Sequence, residues 1–151
     1  MWESTLLVER YALHRELIEN MLSDNQYQVF SQVMKDSNIP YSSGRRRMER
    51  SFRTFDSPEG LRTILERFPE IFAAILNAES FSSSIKDEDR GNLFNEYFPR
   101  IVIPTLTRII VTSPLAEEVA REKYAPAFAD SRTVYLAKPF VESDLLRKIR
   151  K

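Results

Sequence analysis

Hydrophobic and polar positions change their spacing repeatedly along the 151-residue chain. Short apolar or β-branched runs predict strands, whereas stretches with apolar residues three and four positions apart predict amphipathic helices. The two patterns alternate from one end of the chain to the other. The predicted strands are 5–8, 27–33, 70–78, 108–113 and 133–136, and the predicted helices are 12–22, 58–68, 88–99, 114–124 and 141–149.

This alternation is typical of a parallel sheet with helices on both faces. The segment 70–78 is almost continuously apolar, as expected for a central strand covered on both sides. The chain has only three glycines, so it cannot build a glycine-rich dinucleotide or phosphate loop. We therefore predict a flavodoxin-like α/β fold, a three-layer sandwich whose parallel five-stranded sheet has the order 2-1-3-4-5.

One segment interrupts the alternation. Residues 35–51 hold a proline, a glycine, several serines and an arginine cluster, and they predict a surface excursion. The stretch "FRTF" at 52–55 is a further extended piece. The pattern leaves open whether 27–33 or 52–55 is the second strand of the sheet. We expect an insertion around 35–55.

Composition narrows the class of protein. The chain has 22 basic and 22 acidic side chains, so no overall field attracts nucleic acid or an anionic membrane. It has no cysteine, which excludes disulfides, zinc-thiolate sites and thiol catalysis. It has neither a long apolar run nor a signal-peptide pattern, so we expect one soluble, cytoplasmic domain over 1–151. A stand-alone adaptor and the N-terminal part of a longer regulator both fit.

Polar side chains occupy the ends of four predicted strands. Pro139 has no N–H to donate, so it ends the last strand and places Lys138 at the strand's carboxyl end. In open α/β sheets this edge is where ligands bind. The other side chains predicted at this edge are Glu9 and Arg10 after the first strand, Asn77 at the end of the third, and Thr112 and Ser113 at the end of the fourth.

In these segments the chain resembles the receiver domain of response regulators, the CheY-like superfamily. The stretch "LLVERYALHRELIENML" is similar to the opening of a receiver, and "FAAILNAES" is similar to its phosphoacceptor strand. The stretches "IIVTS" and "YLAKPF" are similar to its last two strands, and Lys-Pro-Phe is the most specific match. The resemblance covers nearly the whole chain and implies the same fold and a role in two-component signal transduction.

The resemblance implies that three functional positions of receivers are retained in this chain. It implies that the Thr112 hydroxyl matches the one that contacts the acyl phosphate. It implies that Lys138 matches the lysine that pairs with the phosphoryl group. It implies that Tyr135, three residues earlier, matches the aromatic residue that switches orientation.

Two other positions depart from the family. The acidic pair that helps to hold magnesium reads Glu9 and Arg10, and the phosphoacceptor aspartate reads Asn77. An amide cannot form an acyl phosphate, and magnesium prefers carboxylate oxygens. We expect Arg10 to pair with Glu9 or to occupy the place of the metal. The resemblance thus implies a non-enzymatic pseudo-receiver with a degenerate phosphoacceptor pocket and no metal or cofactor.

Receivers commonly dimerise or bind partners through their fourth helix, fifth strand and fifth helix. The resemblance implies that this chain contacts a protein partner or a second copy of itself through the same elements. A role in transcription regulation would follow if an output domain is attached. The residues expected at this interface are Leu115, Val119, Tyr124, Phe140 and Leu145.

An unusual phosphoacceptor is a second hypothesis. Glu9, Glu79 or Asp87 would then receive the phosphoryl group or bind the metal, and Glu79 lies only two residues beyond Asn77. The chain's single histidine, His14, is expected on a helix surface and not as a ligand.

An arginine cluster supplies a third hypothesis, which is nucleic-acid binding. Guanidinium groups bind phosphate, acidic protein or RNA. The zero net charge and the lack of interleaved aromatic residues favour a solvated loop, so we do not expect this domain to bind nucleic acid. The cluster consists of Arg45, Arg46, Arg47, Arg50 and Arg53.

Overall fold

The computed structural model describes residues 2–35, 52–81 and 93–150. Its strands are β1 (Glu3–Val8), β2 (Tyr27–Met34), β3 (Arg53–Phe55), β4 (Ile71–Asn77), β5 (Arg108–Ser113) and β6 (Thr133–Ala137). Its helices are α1 (Ala12–Ser23), α2 (Pro58–Arg67), α3 (Phe94–Ile101), α4 (Glu117–Lys123), α5 (Ala125–Phe128) and α6 (Glu142–Arg150), and a 3-10 turn spans Ala78–Phe81.

All six strands form one parallel sheet with the order β3-β2-β1-β4-β5-β6. The predicted α/β fold with a 2-1-3-4-5 arrangement is confirmed for the five strands that were expected. The strand order reverses between β1 and β4. The connections after these two strands run to opposite sides of the sheet, and this leaves a crevice at the carboxyl ends of the strands. Both faces of the sheet are covered by helices, which agrees with the burial of every residue of β4 except Phe72, which is half-buried.

Within the described residues the sheet has six strands, one more than predicted. Both candidates for the second strand are strands, and β3 pairs with β2 at the edge of the sheet, with Val33 opposite Thr54. β3 has three residues, which is too short for an alternating pattern to reveal, and it buries only Phe55. The predicted insertion therefore ends before β3, and its residues 36–51 lie outside the described part of the chain.

Two apolar cores lie on opposite faces of the sheet. One packs α1 and α6 against the sheet through residues such as Ile18, Leu22 and Leu145. The other contains residues of α2, α3, α4 and α5, among them Leu61 and Phe98. The helix boundaries follow local signals, since the Ser57 side chain accepts the Gly60 N–H at 3.2 Å at the start of α2 and Pro58 occupies its first turn.

Helix α3 begins at Phe94, later than predicted, and residues 82–92 ahead of it are not described. The fourth predicted helix, 114–124, corresponds to α4, which begins three residues later than predicted. The short helix α5, which was not predicted, follows it after Tyr124. In the part of the chain that the structure describes, no helix has the length and apolar character needed to cross a membrane.

Candidate functional site

The site lies at the carboxyl edge of the sheet, around the point where the strand order reverses. Glu9 follows β1, Asn77 ends β4 opposite Thr112 of β5, and Lys138 follows β6. Glu9, Asn77 and Thr112 are fully buried, and the side chain of Lys138 is 10% exposed. The structure therefore brings together the strand-end residues that the sequence analysis singled out.

Glu9 and Lys138 form a buried ion pair. Lys138 Nζ lies 2.7 Å from Glu9 Oε1, and the Tyr11 backbone N–H donates to Glu9 Oε2 at 3.3 Å. Burial raises the pKa of the Glu9 carboxyl above its usual value, and the charge of Lys138 acts in the opposite direction. A buried carboxylate of this kind depends on its counterion, since an unpaired charge is costly away from water.

The ammonium group of Lys138 also contacts α1. Its Nζ lies 2.8 Å from His14 Nδ1 and 5.5 Å from the centroid of the Tyr11 ring. An ammonium can only donate, so Nδ1 accepts and His14 is the neutral tautomer with its proton on Nε2. The pKa of His14 is lowered, first by partial burial and then by the charge of Lys138. His14 is an exposed helix residue as predicted, but the sequence did not indicate that it contacts the site.

A hydrogen-bond network centred on the Asn77 amide occupies the other half of the edge. Asn77 Nδ2 donates to the Thr112 backbone oxygen at 3.3 Å, with Thr112 Oγ1 at 3.4 Å and Glu79 Oε1 at 3.3 Å. The Ser80 hydroxyl donates to Asn77 Oδ1, and Ser80 Oγ in turn accepts the Arg10 backbone N–H at 2.8 Å. Each polar atom of the Asn77 amide is thus held by neighbouring protein groups.

Two arginines hold the loop that follows β1. The buried guanidinium of Arg15 donates to the backbone oxygens of Glu9 at 3.1 Å and Arg10 at 3.3 Å. Arg10 Nη2 donates to the Tyr11 hydroxyl at 3.1 Å. We expected Arg10 to pair with Glu9 or to occupy the place of the metal. Among the described residues, the ion pair that the structure shows for Glu9 is the one with Lys138. Lys138 reaches Glu9 because β1 and β6 end at the same edge and the Lys138 side chain extends back across it.

Arg15 was missed by the sequence analysis. It lies three residues before Ile18 and seven before Leu22, so it shares their buried face of α1. A charged residue within an apolar stripe was the available signal, because a buried guanidinium requires hydrogen-bond acceptors close by.

Glu79, a candidate in the second hypothesis, is held by two donors. It accepts from Asn77 Nδ2 through Oε1, and from the Tyr124 hydroxyl at 3.2 Å through Oε2. Within residues 2–35, 52–81 and 93–150, no three acidic, histidine or cysteine side chains are grouped so that they could hold a metal ion. The third candidate, Asp87, lies outside the described residues.

Tyr135 is buried and its side chain points inward. Its hydroxyl donates to the backbone oxygens of Ser113 at 3.0 Å and Leu115 at 2.5 Å. It thereby joins β6 to the loop after β5. Burial raises the pKa of the Tyr135 phenol, so its hydroxyl remains a donor at neutral pH.

The five residues expected at a protein interface differ in exposure. Val119 is exposed on α4, and Leu115 and Phe140 are half-buried. Tyr124 and Leu145 are buried in the two cores, so the expectation that they lie on the surface is wrong. Leu145 lies on the buried side of α6, and Tyr124 lies between α4 and α5 with its ring centroid 5.3 Å from that of Phe94. Arg45, Arg46, Arg47 and Arg50 fall outside the described residues, whereas Arg53 is exposed on β3.

Comparison with solved structures places the fold among receiver domains. The signal receiver domain of a modulated diguanylate cyclase from Desulfovibrio desulfuricans G20 is 18% identical, with a TM-score of 0.59 over 99% of this chain and 92% of that one. A response regulator receiver domain from Bermanella marisrubri is 17% identical, with a TM-score of 0.57 over 99% and 97%. A response regulator from Thermotoga maritima is 14% identical, with a TM-score of 0.55 over 99% and 96%.

No protein-family model matches the chain, and no curated protein matches it in sequence. The likeness to receiver domains is therefore one of fold. What the site does has to be argued from its own residues.

Proposed function

We propose that the protein is a receiver-like signalling domain that acts through protein contacts without aspartyl phosphorylation. The observation that carries this proposal is the direct pairing of Lys138 with Glu9 beside an amide at Asn77. In a phosphorylatable site of this geometry the lysine needs an incoming phosphoryl group and the strand end needs a carboxylate. Here a protein carboxylate supports the lysine, and Asn77 has no nucleophilic oxygen that can form an anhydride.

Electrostatics supports the same proposal. Magnesium in such sites requires one or two carboxylates that are available to coordinate it. Glu9 is engaged by Lys138, and Glu79 accepts from Asn77 and Tyr124. A dication that entered here would displace Lys138 from Glu9, which would leave a cation and a metal side by side.

The proposal is tested by titrating the protein with magnesium and beryllofluoride, an acyl-phosphate mimic, while its backbone amide NMR shifts are followed. We expect no saturable shift at Glu9, Thr112 or Lys138. Saturable shifts at these residues would overturn the proposal and would favour the alternative, an unusual phosphoacceptor that uses Glu9, Glu79 or Asp87.

The proposed contact surface consists of α4, β6 and α6, on which Val119 is an exposed apolar residue. Self-association through this surface predicts that Val119→Glu weakens dimerisation in sedimentation-velocity experiments. Leu13→Glu is the matched control, because Leu13 is also apolar and exposed but lies on α1. A chain that is monomeric at all accessible concentrations would leave a different protein as the partner of this surface.

A further inference from the structure

A groove of about 480 Å³ lies beside the site, between α1 and the turn after β6. Its volume is in the range of pockets that bind small molecules. The groove begins at Lys138 and Glu79 and continues along α1, away from the Asn77 network. Its walls are mostly apolar and are formed by Leu17, Ile18, Met21, Pro114, Pro139 and Phe140.

One end of the groove is polar and is dominated by hydrogen-bond donors. Lys138 has three N–H groups, and within the described residues its hydrogen-bonding partners are Glu9 and His14, so one N–H remains. His14 accepts on Nδ1 and therefore presents its Nε2–H. The Tyr11 hydroxyl accepts from Arg10, and among the described residues it has no acceptor for its own hydrogen.

The remaining polar group at this end is the Glu79 carboxylate. Its two oxygens already accept from Asn77 at the end of β4 and from Tyr124, which lies between α4 and α5. Lys138, His14 and Tyr11 thus each face the groove with an N–H or O–H that a ligand could accept. The acceptor atoms of His14 and Tyr11 are already engaged by Lys138 and Arg10. An oxygen-rich anionic head complements this end, and an apolar body complements the walls.

The exposure of α1 supports an occupant of the groove. Leu17 is 49% exposed although it lines the groove, and a bound apolar body would remove that surface from water. Leu13, one turn earlier, is 66% exposed but does not line the groove. A comparison of the two leucines therefore distinguishes binding in the groove from adsorption to any exposed apolar residue of α1.

From these observations we infer that the α1 groove binds a small amphipathic carboxylate, with its head at Lys138, His14 and Tyr11 and its apolar body along Leu17, Met21 and Phe140. This inference goes beyond the proposed signalling role and does not require it. A ligand there would contact both α1 and Lys138, the ion-pair partner of Glu9.

Decanoate, used below its micellar concentration, is the probe, and decanol is its uncharged counterpart. We expect decanoate to produce saturable amide shifts at Leu17, Ile18, Met21 and Phe140, with decanol binding about tenfold more weakly because it cannot form a charge-assisted hydrogen bond. Equal affinities for the two probes would overturn recognition of a carboxylate. The absence of saturable decanoate shifts would overturn the site altogether.

A matched pair of variants tests the location. Leu17→Gln should weaken decanoate binding about fivefold, because it removes apolar wall surface, whereas Leu13→Gln should leave binding unchanged. Both positions are exposed, so both variants are expected to fold. Equal weakening by the two variants would mean adsorption to the surface of α1 and would overturn the groove. A magnesium and beryllofluoride response at Thr112 would contradict the proposed function without affecting this result.

Discussion

The two halves of the carboxyl edge satisfy their buried groups in different ways. The charged half depends on one ion pair, Glu9 with Lys138, to which His14 is added. The neutral half distributes its hydrogen bonds over Asn77, Ser80 and the backbone of β5. Loss of one partner in the charged half leaves a buried charge, whereas loss of one bond in the neutral half leaves other bonds in place. The charged half should therefore be the more sensitive to mutation.

Lys138→Met should produce the largest loss of stability. The variant keeps the aliphatic part of the side chain but leaves the Glu9 carboxylate buried and unpaired, which costs about 3 kcal/mol in the free energy of unfolding. Urea unfolding at pH 7 measures this loss. Lys35→Met is the control, because Lys35 also follows a strand but is exposed, and it should change stability by less than about 0.5 kcal/mol.

The Glu9–Lys138 pair should also make the free energy of unfolding depend on pH. Since the pKa of Glu9 is raised in the folded state, the folded protein binds more protons than the unfolded chain at pH values between 4.5 and the folded pKa. This group's contribution to stability therefore falls as pH rises through that window. In Lys138→Met the fall should extend to higher pH, because the variant removes the charge that lowers the Glu9 pKa, and in Glu9→Gln it should be absent. Loss of stability in Lys138→Met that is independent of pH would contradict an unpaired Glu9 as its cause.

Asn77→Asp should have the next largest effect. A carboxylate at this position cannot donate to the Thr112 backbone oxygen and would lie beside Glu79, so we expect a loss of about 2 kcal/mol at pH 7. Added magnesium should restore part of the loss, because two neighbouring carboxylates then become ligands. Thermal unfolding with and without magnesium measures both effects.

Asn95→Asp is the matched control for that variant. Asn95 also donates its amide to a backbone oxygen, that of Lys123 at 2.9 Å, but it is exposed. We expect a smaller loss there and no response to magnesium. A magnesium response in the unmodified chain would show that the site binds metal without the substitution.

Tyr135→Phe should cost about 1 kcal/mol, because it removes the donor to Ser113 and Leu115 while keeping the ring. Tyr97→Phe is the control, since Tyr97 is also buried and its hydroxyl forms no hydrogen bond within the described residues. Urea unfolding compares the two. Equal losses would mean that the Tyr135 hydroxyl does not stabilise the inward orientation of the ring.

The sequence predicted which residues meet at the carboxyl edge of the sheet, but it did not predict which of them contact one another. Alternating strands and helices imply parallel strands, and Pro139 fixes where β6 ends, so the convergence of Glu9, Asn77, Thr112 and Lys138 follows from topology alone. The fold is confirmed, whereas the roles of these residues stay predictions. The partner of Glu9 could not be predicted, because it depends on how a flexible lysine crosses the edge. β3 was ambiguous because a three-residue edge strand has no period to detect.

The protonation of His14 should have the smallest effect on stability, and it can be measured directly on a single imidazole. Its pKa is lowered in the folded protein, so between pH 6.5 and the folded value the unfolded chain binds the extra proton and stability falls as pH falls. His14 is largely exposed, and after screening the change amounts to a few tenths of a kcal/mol, about the size of a surface ion pair. As the chain has one histidine, its imidazole resonance is assigned without ambiguity.

An imidazole titration followed by NMR should therefore give a pKa below 6.5 for His14. Lys138→Met should move that pKa upward, because the variant removes the ammonium that Nδ1 accepts from and the positive charge that opposes a second cation. An unchanged pKa in Lys138→Met would mean that burial alone lowers it and that His14 is not coupled to the ion pair. If the His14 pKa rises in Lys138→Met, then the same pKa can report whether Lys138 stays paired with Glu9 when a ligand occupies the α1 groove.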